Sequence, residues 1–145
     1  GGTENIYGIV GLAAAMELAY EHMEHDIQYV SGLKQYMIEQ LTAQVPGVSF
    51  NGDTDGSNLY TVFNVSLPPS DFSEMLLFRL DIAGIAASGG SACSSGSNVG
   101  SHVLKGIGAD PDRPAVRFSF SRYTTREEID YAVKQLKEMY QLVTA

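Results

Sequence analysis

Leu59-Tyr60-Thr61-Val62-Phe63-Asn64-Val65-Ser66-Leu67-Pro68-Pro69 is the stretch that decides the architecture. Phe63, Val65 and Leu67 fall on one side of an extended chain, and Val62, Asn64 and Ser66 on the other. That two-residue period predicts a strand with one face buried. The two prolines close it, because neither can donate to a ladder. Upstream, Val48 and Phe50 predict a shorter strand, ended by Asn51-Gly52 and a polar run through Ser57. Downstream, Val116, Phe118 and Phe120 alternate with Arg117 and Ser119, and Ile85-Ala86-Ala87 reads as a further brief strand.

The segments around these strands carry helical spacing. Asn5 can cap a helix whose Ile6, Ile9, Val10, Ala13 and Ala14 share a face suited to close packing, with Glu17, Glu21 and Glu24 on a more solvated side. Ile27, Val30, Leu33, Met37, Ile38 and Leu41 continue the pattern until Pro46-Gly47 stops it. The pattern allows one helix or two joined near residues 22–26. Ser70 is placed to cap a helix bearing Phe72, Met75, Leu76, Leu80 and Ile82, with Gly84 at its end. Val99, Val103, Leu104 and Ile107 predict a short helix, and Asp110-Pro111-Asp112-Arg113-Pro114 a turn. Thr125 and Glu128 have capping-box spacing ahead of a last helix, whose face is Ile129, Ala132, Val133, Leu136, Tyr140 and Val143. The strands are mostly too closely linked for repeated βαβ crossovers. An α+β fold with a small, mainly antiparallel sheet follows.

At 145 residues the chain fits one domain. No apolar run reaches membrane-spanning length. The net charge of −8, from 17 acidic and 9 basic residues, argues against general nucleic-acid binding. One cysteine excludes an intramolecular disulfide framework and fits a reducing, cytoplasmic setting. The opening Gly1-Gly2-Thr3-Glu4 has no basic region of a signal peptide and reads as part of a longer polypeptide.

That cysteine stands in Ser88-Gly89-Gly90-Ser91-Ala92-Cys93-Ser94-Ser95-Gly96-Ser97-Asn98-Val99-Gly100. So many small polar residues have little to bury, which predicts a mobile loop displaying a thiol. The competing reading is a buried, inert cysteine. The run also resembles a phosphate cradle but lacks the Gly-Lys-Ser/Thr ending of a P-loop. His102, nine positions on, is the nearest basic partner, yet a cysteine-protease reading lacks an evident oxyanion loop and an orienting residue. No residue pattern points to a metal.

Gly2-Thr3-Glu4-Asn5, Ile9-Val10-Gly11, Ser91-Ala92-Cys93, Val116-Arg117-Phe118-Ser119, Arg122-Tyr123-Thr124-Thr125 and Glu127-Glu128-Ile129-Asp130 occur in that order. Together they resemble the cysteine desulfurases, class V aminotransferase-type enzymes of fold-type I that depend on pyridoxal phosphate. The long Gly/Ser run resembles the nitrogenase and iron–sulfur-assembly group. The resemblance implies that residues 1–145 form the carboxy-terminal small domain with its connecting helix, the large cofactor-binding domain being absent from the chain. It implies L-cysteine as substrate, alanine as product and a persulfide on Cys93, which passes to a sulfur-acceptor or scaffold protein. It also implies a homodimer, with Thr3 reaching the cofactor phosphate of the other subunit, and Arg117 holding the substrate carboxylate. Without the resemblance, Thr3 reads as a residue flanking the Asn5 cap, and Arg117 as an exposed strand residue paired with Asp or Glu.

The departures bear on the cofactor. The family's cofactor lysine stands in a His-Lys context, whereas Lys34, Lys105, Lys134 and Lys137 all lack a preceding histidine. The chain alone is therefore expected to be inactive. Gly89 stands where the family often has serine, and Ser121 where it often has glycine. Two other readings stay open: a related class V enzyme such as a selenocysteine lyase, and a non-catalytic dimerisation or scaffold-binding module.

Overall fold

The computed structural model describes residues 2–54, 56–89 and 101–141. Helix α1 (Ile6–Gln44) is one uninterrupted helix of 39 residues, roughly 58 Å long, so no bend divides it near residues 22–26. Asn5 caps it as expected, its Oδ1 accepting from the Gly8 N–H at 3.1 Å. The two halves of α1 have different surroundings. Val30, Leu33, Met37 and Leu41 are buried, while every residue from Ile6 to Gly11 is exposed and Tyr7 is 92% so. The expected packing of Ile6, Ile9, Val10, Ala13 and Ala14 is thus not realised within the described residues, because no other element runs beside those turns.

Strands β1 (Ser49–Asn51), β2 (Val62–Ser66) and β3 (Ala115–Ser119) form an antiparallel sheet in the order β1-β2-β3. The α+β expectation holds. Phe50 pairs with Val65 and Val65 with Val116, while Phe63 pairs with Phe118, so the apolar residues share the inner face. The Phe63 ring lies 5.7–6.0 Å from those of Phe50, Phe118 and Phe120, the spacing at which aromatic rings attract. Leu59 lies ahead of β2 and is 61% exposed, so the strand is shorter than its alternation suggested.

The segment after Pro69 also differs from expectation. A 3₁₀ turn (Ser73–Met75) precedes helix α2 (Leu76–Ile82), and Ser70 gives no side-chain cap. Instead its N–H donates to Ser73 Oγ at 2.8 Å. Only Phe72, Leu76 and Leu80 turn inward, leaving Met75 and Ile82 exposed. Gly84 takes φ +74°, which lets the Ile85 N–H return to the Leu80 carbonyl at 2.8 Å and close α2. Ile85, Ala86 and Ala87 form no strand, and the chain meets β3 first at Ser88.

Helix α3 (His102–Gly106) is capped by Ser101, and Val99 lies outside the described residues. The capping box before α4 (Arg126–Gln141) is reciprocal: Thr125 N–H donates to Glu128 Oε2 at 2.9 Å, and Glu128 N–H to Thr125 Oγ1 at 3.3 Å. Ile129, Ala132, Val133 and Leu136 enter the core, while Val143 lies outside the described residues. Among the described residues, no helix is long and apolar enough to cross a membrane.

Candidate functional site

Alternation sends every second residue of the sheet to the face opposite the core. The register there aligns Asn51 with Asn64 and Asn64 with Arg117. An isolated antiparallel bridge then adds Ser88: its N–H donates to the Arg117 carbonyl at 3.2 Å, and the Arg117 N–H to the Ser88 carbonyl at 2.6 Å. Directly opposed residues of an antiparallel pair point the same way, so Asn51, Asn64, Arg117 and Ser88 make one polar row. Asn51 Nδ2 donates to Asn64 Oδ1 at 2.7 Å.

Arg117 is exposed and has no ion pair or side-chain hydrogen bond among the described residues. Its pairing with Asp or Glu is therefore not the arrangement seen. A planar guanidinium left free on a rigid strand can take a carboxylate through two parallel hydrogen bonds. Cys93 lies outside the described residues. Its covalent tether is defined, because Ser88 is fixed on β3 and five residues of extended chain reach at most about 18 Å.

Gly89, the next residue, lies close against Leu77 of α2 and Ala115 of β3. A Cβ at this position would come 2.6 Å from Leu77 Cδ1 and 3.2 Å from the Ala115 carbonyl oxygen. Thr3 is exposed at the far end of α1, where roughly 36 Å of helix separates Ile6 from Val30, the first α1 residue in the core. The structure does not bring it to Arg117. The Arg122-Tyr123-Thr124-Thr125 motif ties the chain after β3 to α1. Arg122 pairs with Asp26 at 3.6 Å, and Tyr29 Oη donates to the Thr124 carbonyl at 2.8 Å. His102 is exposed at the start of α3.

Pyridoxal phosphate, which the resemblance implies, needs a lysine placed with its other ligands. Lys34 is only 5% exposed and donates to Asn58 Oδ1 at 2.5 Å and the Leu59 carbonyl at 3.0 Å. Burial pushes its ammonium below the usual lysine range, with Asp53 pulling the other way. The cleft of about 290 Å³ beside it, bounded by Ser31, Gln35, Thr54 and Tyr60, includes neither Thr3 nor Arg117. Lys134 lies against Glu138 at 3.8 Å, and Lys137 donates to Gln44 at 3.5 Å. This set of residues does not fit the cofactor by itself.

Three residues escaped the sequence reading. Lys34 occupies the i+4 position from Val30, a signal that was present. Arg113 reads as a turn residue, yet its Nε donates to Ser66 Oγ at 2.8 Å, and its Nη2 to the carbonyls of Ser66 at 2.9 Å and Gly47 at 2.5 Å. Asn64 gave no signal beyond its place on the outer face.

Comparison with known proteins agrees with this architecture. The family model described as aminotransferase class-V matches residues 1–132. The cysteine desulfurase NifS of Azotobacter vinelandii is 40% identical over 137 residues, which cover 93% of this chain and 34% of that protein. The cysteine desulfurase IscS of Dictyoglomus turgidum is 34% identical, covering 95% and 35% respectively. A solved NifS-like protein superimposes with a TM-score of 0.79 at 29% identity, over 98% of this chain and 35% of its own. A NifS-like protein from Rickettsia africae has the same fold, with a TM-score of 0.79 at 22% identity over 97% and 36%. The chain thus spans about a third of the length of the curated relatives it matches.

Proposed function

Because the chain belongs to the aminotransferase class-V family, we propose that it is the sulfur-accepting small domain of a cysteine desulfurase. The observation that carries this reading is the pairing of Ser88 with Arg117, which ties the start of the Cys93 segment to a strand whose guanidinium has no side-chain partner among the described residues. The relatives named cysteine desulfurase, alike over nearly the whole chain, support the same choice of reaction.

In this reading Arg117 holds the carboxylate of L-cysteine and so fixes where its thiol group sits. The Cys93 thiol accepts the substrate's sulfur. The C–S bond of L-cysteine breaks, an S–S bond forms at Cys93, and the carbon skeleton leaves as L-alanine with the balancing proton. The persulfide then passes its outer sulfur to an acceptor protein, as iron–sulfur assembly requires. Breaking that C–S bond needs an electron sink that side chains do not supply, which pyridoxal phosphate would provide when bound. The resemblance further implies a homodimer in which Thr3 serves the cofactor phosphate of the other subunit, and its exposed position at the far end of α1 leaves it open to such a contact.

Cys93→Ser in the holoenzyme tests the central role. After incubation with L-cysteine, mass spectrometry of the wild-type peptide carrying Cys93 should show one added sulfur atom. The variant should fold, bind cofactor and release no sulfide to a thiol reductant. An unmodified Cys93 peptide during turnover, or sulfide release by the variant, would remove Cys93 from the reaction.

A further inference from the structure

The polar row on the outer face of the sheet contains a group to which the proposed reaction gives no role. Asn64 stands directly opposite Arg117 on the neighbouring strand, where facing Cβ atoms lie about 5 Å apart. Its Oδ1 is taken by Asn51 Nδ2 at 2.7 Å. An amide whose oxygen is committed has its orientation fixed and presents its NH2 as donor. Neither hydrogen of that NH2 has a partner among the described residues. Asn64 is half-buried, so the donor sits on the strand itself and not at the end of a long, free side chain.

The charges around it favour an anionic ligand. The chain carries 17 acidic residues against 9 basic, yet no carboxylate pairs with Arg117 among the described residues. On β2 it faces one neutral amide, Asn64, behind which β1 places a second, Asn51, while Ser88 lies on its other side. A carboxylate at either place would compete for the guanidinium, whereas an amide leaves it free and adds a donor.

We propose that Asn64 is a second substrate-carboxylate-binding residue, its Nδ2 donating to the carboxylate held by Arg117, with Asn51 as the residue that positions it. A carboxylate has about four acceptor sites, and a bidentate guanidinium fills two. A third donor from the adjacent strand fills one more of those sites and holds the carboxylate against the sheet. The ligand class is an α-amino acid carboxylate. This inference rests on the carboxylate role given to Arg117 above.

Steady-state kinetics of the holoenzyme with L-cysteine test it, using Asn64→Ala, Asn64→Asp, Asn51→Ala and, as reference, Arg117→Ala. Asn64→Ala should raise KM roughly ten- to a hundredfold, the size of one hydrogen bond to a charged group, with kcat little changed. Asn64→Asp keeps the size but pairs with Arg117, so its KM should rise further than that of the alanine variant. Asn51→Ala should raise KM less than Asn64→Ala. Cysteamine, which is cysteine without its carboxylate, should inhibit wild type and Asn64→Ala with the same inhibition constant. A KM unchanged in both Asn64 variants while Arg117→Ala raises it would overturn the role of Asn64 and leave that of Arg117 standing. An equal rise in the cysteamine constant would reassign Asn64 to general architecture. If Arg117→Ala itself left KM unchanged, the carboxylate site would fall, and Asn64 with it.

Discussion

Replacing Arg113 by alanine should cost more stability than its place in a turn suggests. The guanidinium joins three parts of the fold: the Gly47 carbonyl after α1, the Ser66 hydroxyl and carbonyl at the end of β2, and its own segment before β3. A hydrogen bond from a charged donor contributes about 1.5–3 kcal/mol. The three contacts do not add, because Gly47 is exposed and its carbonyl rehydrates when the arginine leaves. Ser66 is only 4% exposed, so its groups lose a partner with little water to replace it. The expected loss is therefore about 2–3 kcal/mol. Urea unfolding would register this as a midpoint lowered by about 1–2 M at unchanged slope. Arg113→Lys retains the charge but not the fork, so it should recover about half of the loss. A loss below about 0.5 kcal/mol for alanine, or a lysine variant equal to wild type, would show that the contacts contribute nothing net.

Two further substitutions probe the rest of the fold. Lys34→Met tests the buried ammonium. Folding lowers its pKa, so the unfolded chain holds the proton to higher pH, and the wild type should gain stability relative to the variant as pH rises towards 10.5. Its two neutral acceptors need only the two hydrogens of the uncharged amine. Urea curves for both proteins at neutral and alkaline pH give that difference, and a difference that shrinks with pH would contradict it. Thr125→Ala removes one half of the capping box and should cost about 1 kcal/mol. An unchanged midpoint would mean that α4 is held by its buried face alone.

The sheet was legible because a strand's burial is written into alternate residues, as in Phe63, Val65, Val116 and Phe118. The capping box was legible because its partners are three residues apart. Contacts across long intervals of sequence were not. Nothing local to Asn64 indicates that Arg117 will face it, since that register is set by a chain returning through α2 and α3. The continuity of α1 was hidden for a different reason. Its first half spreads Ile6, Tyr7, Ile9, Val10 and Leu12 around the helix, so the face that marks its second half fades. Of the candidate site, Arg117 was legible by resemblance, and its lack of a side-chain partner among the described residues only by structure, while Thr3 rests on the resemblance and Cys93 on the resemblance together with its Gly/Ser run.

The division of α1 into a bare half and a buried half has a consequence for how its backbone amides trade protons with solvent. Both halves belong to the same unbroken ladder of hydrogen bonds. Around Val30, Leu33, Met37 and Leu41, an amide can meet deuterium only when the core opens, an event that costs a large part of the folding free energy. From Ile6 to Tyr29 no side chain is buried, so a turn needs only to unwind locally, and an isolated helix of that length is marginal in water. Deuterium uptake by the chain on its own should therefore step down sharply near residue 30. The step would come in the middle of a helix whose geometry shows no boundary there.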